Sequence, residues 1–92
     1  MLDEETCMFY KNNGEVVYLG RTSTQFLSYL ILNKNRYITY AEIVNLLWRN
    51  KTVKDMKNRL RELVWKINHK LKGEYKLICK IGLGYRIGGY DE

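Results

Sequence analysis

Proline is absent from all 92 residues, where about 5% is usual, so proline-rich linkers and stalks are excluded. Cysteine is nearly absent as well. Cys7 and Cys79 cannot build a disulfide scaffold or a four-ligand zinc site, and are expected as small buried strand residues. The single histidine, His69, has no second ligand or nucleophile beside it in the sequence, which excludes a metal or catalytic role for it. Apolar runs are only a few residues long, far short of the ~20 needed to span a bilayer. The opening Leu2-Asp3-Glu4-Glu5 is acidic where a secretory signal would be basic. These absences lead to the expectation of a cytoplasmic protein that uses no metal or cofactor and no membrane. What is present is 46% hydrophobic and 13% aromatic residues, enough for the core of one small domain.

Acidic residues are also scarce in one particular place. The net charge is +6, yet residues 1–20 carry −3, residues 21–47 carry +2 and residues 73–92 balance at zero. Residues 48–72 alone carry +7. A concentrated excess of this kind is the electrostatic footprint of a protein that meets a polyanion. A solvated helix face that keeps the protein soluble would carry the same charges.

Three segments read as helices. Thr22-Ser23-Thr24-Gln25, Thr39-Tyr40-Ala41-Glu42 and Thr52-Val53-Lys54-Asp55 each place a hydroxyl three residues before an acid or amide. The threonine oxygen can accept from a free first-turn N–H, and the fourth side chain can reach back. The first two are expected as full capping boxes and the shorter Asp55 as a weaker one. Apolar residues then recur at helical spacing: Phe26, Leu27, Leu30 and Ile31; Ile43, Leu46 and Leu47; and Val53, Met56, Leu60, Leu63, Val64, Ile67 and Leu71. Between the second and third helices lie only Arg49, Asn50 and Lys51, with Asn50 suited to the left-handed conformation that ends a helix. Two helices joined so tightly predict a helix-turn-helix.

Hairpins flank the helices. Cys7–Tyr10 and Glu15–Leu19 surround Asn13-Gly14, which suits a tight turn with positive dihedrals at both positions. Leu77–Ile81 and Tyr85–Ile87 surround Gly82-Leu83-Gly84, whose two glycines read as turn residues. Gly82-x-Gly84 lacks the third glycine and the strand–helix setting of a dinucleotide loop. The expected fold is α+β, a winged helix-turn-helix. An N-terminal tail or linker remnant covers residues 1–5, the domain covers 6–90, the recognition helix 52–72 and the wing 77–87.

Four stretches resemble one family. Gly82-Leu83-Gly84-Tyr85-Arg86-Ile87, Ile38–Ile43 leading to Leu47-Trp48, Val64–Leu71, and Thr22-x-Thr24-Gln25-Phe26 are similar, in order and spacing, to the OmpR/PhoB-type winged-helix effector domains of bacterial response regulators. The chain departs from the family pattern at Asn68 and Ile81, where members carry arginines, with Lys80 the nearest cation to the second position. The resemblance implies transcription regulation in a two-component system. It also implies an upstream receiver domain, RNA polymerase as a partner, and an isolated monomer that pairs on tandem half-sites.

Setting 100° per residue with the apolar stripe at zero gives the outward face of the third helix. His69, Asn58 and Glu62 lie opposite the core, then Trp65, Lys54, Lys66 and Lys72, with Arg59, Arg61 and Asn68 flanking the stripe. All but Glu62 are candidate DNA contacts, because a major groove admits one helix and these side chains read base edges or neutralise phosphates. Glu62 is expected to pair with Lys66 one turn on. Trp65 faces DNA or a partner, or else covers the wing or the preceding turn. Trp48 is expected in the core with its indole N–H at the rim. By resemblance Trp48 and Tyr85 donate to phosphates, while Lys80 and Arg86 flank the wing for minor-groove or backbone contact. Double-stranded DNA is the expected partner, and a winged-helix protein-interaction module without base reading is the alternative. No carboxylate pair, nucleophile with base or phosphate loop can be assembled, so an enzyme is not expected.

Overall fold

A computed structural model describes residues 1–89. Tyr90, the expected last residue of the domain, lies outside the described residues. The elements run β1 (Leu2–Asp3), β2 (Met8–Tyr10), β3 (Val16–Tyr18), α1 (Arg21–Leu32), β4 (Ile38–Thr39), α2 (Tyr40–Leu47), α3 (Val53–Lys70), β5 (Tyr75–Lys80) and β6 (Gly84–Gly89). They form two three-stranded antiparallel sheets, ordered β1-β2-β3 and β4-β6-β5. The helices pack between them around Phe26, Leu30, Ile38, Ile43, Ile67 and Leu71, all fully buried. No helix among the described residues is long and apolar enough to cross a membrane.

The first five residues are not a tail. Leu2 pairs with Phe9 and Asp3 with Met8, because Leu2 has an apolar face to lay against the core. The Asp3 carboxylate accepts from the Glu5 and Thr6 amides at 3.0 and 3.3 Å, which closes the turn. Cys7 sits in that turn at φ 58 rather than in a buried strand, and Cys79 is exposed on β5. In the β2–β3 turn only Gly14 has a positive dihedral, φ 92. The Gly14 amide donates to Lys11 O at 3.1 Å, giving a three-residue turn with a glycine bulge in place of the two-residue type.

The caps differ from their sequence ranking. α1 starts a residue before Thr22, with Gly20 at φ 85 as its N-cap and no side-chain cap bond. The full reciprocal box is the one at α3: Thr52 Oγ1 accepts from the Asp55 amide at 3.1 Å, and Asp55 accepts from the Thr52 amide at 3.4 Å. At α2, Thr39 accepts from the Glu42 amide at 3.1 Å. The Glu42 carboxylate is also turned back toward the Thr39 backbone, a smaller contribution to its lowered pKa. It takes two Arg36 bonds at 2.9 and 3.2 Å and the Tyr29 hydroxyl, tying α1, the following loop and α2 together.

Those bonds, Arg36 first and Tyr29 second, hold the Glu42 carboxyl below its ordinary range. A carboxylate with a lowered folded-state pKa contributes stability above its unfolded pKa, and that contribution is lost as pH falls through the lowered value. The stability gap between the native chain and Glu42→Gln is therefore expected to be full at about pH 7 and to close toward about pH 3. Urea midpoints at the two pH values measure it; a gap that does not change with pH would contradict this role.

Candidate nucleic-acid interface

The third helix buries Met56, Leu60, Val64 and Ile67 and turns two parallel rows outward. Arg61, Trp65 and His69 form one row and Asn58, Glu62 and Lys66 the other, each at four-residue spacing. All six side chains are exposed. Trp65 is 62% exposed; its ring stacks on His69 with centroids 3.9 Å apart and planes at 42°. Glu62 and Lys66 form no ion pair, so both side chains stay on the outward surface. A shallow hollow of about 400 Å³ opens between Arg61, Glu62, Trp65 and Lys66.

One flank of α3 meets the wing at Asn68. Its Oδ1 accepts from the Leu77 amide at 2.7 Å and its Nδ2 donates to Leu77 O at 3.5 Å. Both amide groups are engaged by β5, so Asn68 clamps the wing to α3. Tyr85 is turned inward. It is 7% exposed, edge-on to Phe26 at 6.5 Å and to Tyr40 at 5.8 Å, and burial first of all pushes its phenol up to about 12. Its ring belongs to the core. Gly84 is likewise no turn residue: it opens β6, buried against the Ile38 carbonyl. Only Gly82, at φ 82, turns the hairpin. The exposed Ile81 stands at the tip. Lys80 and Arg86 lie against the Tyr37 ring, at 5.7 and 5.5 Å from its centroid.

The opposite flank holds a feature that sequence reasoning missed. A cleft of about 350 Å³ separates the start of α1 from α3, lined by Gly20–Ser23, half-buried Trp48, Arg59, Glu62, Leu63 and Lys66. Because α1 has no side-chain cap, its first N–H groups stay open and carry the positive end of the helix dipole. Arg21 joins Arg59 and Lys66 there. Tyr37 and Arg21 had no sequence signal, since each acts only beside an element distant along the chain.

Lys54 and Asn58 are exposed on the first turns of α3, while Lys72 lies beyond its end, its carbonyl accepting from Lys11 Nζ at 3.3 Å. These lysines sit at opposite ends of an 18-residue helix, about 27 Å long, and cannot both reach base edges of a duplex that curves away. Lys70 is occupied, donating to Tyr18 O at 2.7 Å. Among the described residues the ion pairs are Lys11–Glu15 and Arg36–Glu42, both away from α3. No cation of α3 is neutralised by an acid there.

Solved structures share this architecture. The DNA-binding domain of Bacillus subtilis CssR matches with a TM-score of 0.74 at 22% identity, covering 96% of this chain and 98% of that one. The DNA-binding domain of E. coli CadC matches with a TM-score of 0.71 at 12% identity, covering 94% of this chain and 82% of that one. This chain folds as a winged helix. No protein-family model and no curated protein matches it, and at these identities the likeness is one of backbone. The closing motif of the winged helix explains why: Gly82 turns the wing, Gly84 seats it on β4, and Tyr85 fills the core. Those positions serve the fold, whereas the outward rows of α3 take no part in the core.

Proposed function

We propose that the chain, with β1 included, is a sequence-specific double-stranded DNA-binding domain of a transcriptional regulator, with α3 in the major groove and the β5–β6 wing at the minor groove. The observation that carries this is the set of α3 cations without an internal acid, on a helix whose outer face meets no other element. Arg61, Trp65, Lys66 and His69 face base edges, with Asn58 beside them. Lys54 and Lys72 meet phosphates at the two ends. Arg21, Arg59 and the Trp48 indole meet a phosphate along the α1 cleft, and Lys80 and Arg86 meet the backbone beside the wing. By resemblance, a receiver domain upstream and RNA polymerase are the protein partners in the cytoplasm, and the isolated monomer pairs on tandem half-sites.

Binding to duplex DNA is expected to weaken steeply with salt, because each neutralised phosphate releases counterions. Replacing Arg21 and Arg59 together by alanine is expected to lower the slope of log K against log salt by up to about 2. Fluorescence anisotropy across a salt series measures it. An unchanged slope would remove the α1 cleft from the interface, and absence of any duplex binding would remove the function.

The protein-interaction reading draws on exposed Trp65. It lost one support once Asn68, standing where related domains carry an arginine, acquired a wing-clamping role. A partner recovered only with Trp65 intact, together with a duplex affinity indifferent to the α3 cations, would favour it instead.

A further inference from the structure

Trp65 stands at the centre of a face that is otherwise polar, and the hollow beside it needs an occupant. The walls are the indole ring and the alkyl stems of Arg61 and Lys66, so they are mainly carbon. The indole is held in place by its stack on His69, which fixes the ring without burying it. A helix gains nothing from an aromatic ring left 62% in water, because the apolar area would be better removed from solvent. The cations around the hollow suit a partner rich in anions, and a DNA duplex offers the helix a floor of base edges between two phosphate rows. On that floor the four bases present donors and acceptors, and the one apolar group among them is the 5-methyl of thymine.

We infer that Trp65, with the hollow it shares with Arg61 and Lys66, is a receptor for thymine 5-methyl groups, and so specifies T·A pairs at the centre of the recognised site. The inference rests on the DNA-binding reading and names the base it selects. Trp65 buries a methyl against its ring, while Arg61 and Lys66 fix the register through the flanking phosphates or purine edges.

The test uses the full chain and duplexes selected by it from a random-sequence pool, then resynthesised with deoxyuridine in place of thymidine. Uracil keeps every hydrogen-bonding group and lacks only the methyl. The native chain is expected to lose affinity about fourfold for each methyl it buries, from about 0.8 kcal/mol per buried carbon group. Trp65→Ala is expected to bind thymine and uracil duplexes alike, and Trp65→Phe to keep part of the discrimination. If the native chain binds both duplexes equally, the inference fails while salt-dependent DNA binding stands. An equal uracil penalty in Trp65→Ala also overturns it, since the methyls would then be read elsewhere. A chain that selects no duplex from the pool overturns this inference and the DNA-binding reading together.

Discussion

Replacing Gly84 by alanine is expected to lower the melting temperature by about 15 °C, from about 3 kcal/mol of lost stability in a domain of this size. An added Cβ would lie 1.8 Å from the Ile38 carbonyl oxygen, 2.7 Å from its carbon and 2.9 Å from Thr39 Cα. These are backbone atoms, which cannot rotate out of the way as a side chain would. The only relief is to push β4 off β6. That breaks the Ile38–Tyr85 and Thr39–Gly84 pairings and loosens the bond from the Tyr40 amide to Leu83 O at 3.1 Å. Ile38 is fully buried and Tyr85 nearly so, so the displacement reaches the core. Gly82→Ala is the control: nothing lies within 4 Å of its Cβ, and its cost is the positive dihedral alone, about 1–2 kcal/mol. Thermal denaturation followed by circular dichroism ranks the two. A Gly84→Ala protein that melts with the native one would mean that β4 and β6 do not approach as described.

The same glycine illustrates what could be read in advance. A Gly-x-Gly before tyrosine and arginine marks a wing, but which glycine turns and which one packs depends on β4. Ile38-Thr39 carries no strand signal of its own, being two residues ahead of a helix. The helices were legible because a 3.6-residue apolar period and local caps are properties of contiguous sequence. Even so, the N-cap of α1 is Gly20 rather than Thr22, since the chain leaving β3 needs a positive φ there. The outward rows of α3 followed from the period alone. Its flanks did not. Asn68 and Arg61 lie on the same side of the helix, and the choice between groove and wing for each depends on how closely β5 passes. The cleft at Arg21 and the Tyr37 contact with Lys80 and Arg86 were invisible for the same reason, because each joins residues tens of positions apart.

Asn68→Ala is expected to destabilise the protein by about 2 kcal/mol, within the 1–3 kcal/mol range for a buried donor left without its acceptor. Leu77 is 5% exposed, and water cannot readily replace the Asn68 Oδ1 that its amide meets at 2.7 Å. The loss should appear as a lower urea midpoint at unchanged m-value, since no additional surface is exposed on unfolding. The Leu77 amide should also exchange with deuterium faster than its neighbours on β5, because the bond it loses is the one holding the wing to α3. Asn68→Arg separates the structural reading from a DNA-contacting one. Arginine has five donors and no acceptor, so it cannot satisfy the Leu77 amide. It should destabilise about as much as alanine does, while its added charge steepens the salt dependence of DNA binding by at most about 0.9. An Asn68→Ala protein as stable as the native chain, with weakened duplex binding, would return Asn68 to the groove. The opposite pattern, reduced stability with duplex affinity retained at temperatures where the variant is folded, leaves base reading to the row of Arg61, Trp65 and His69.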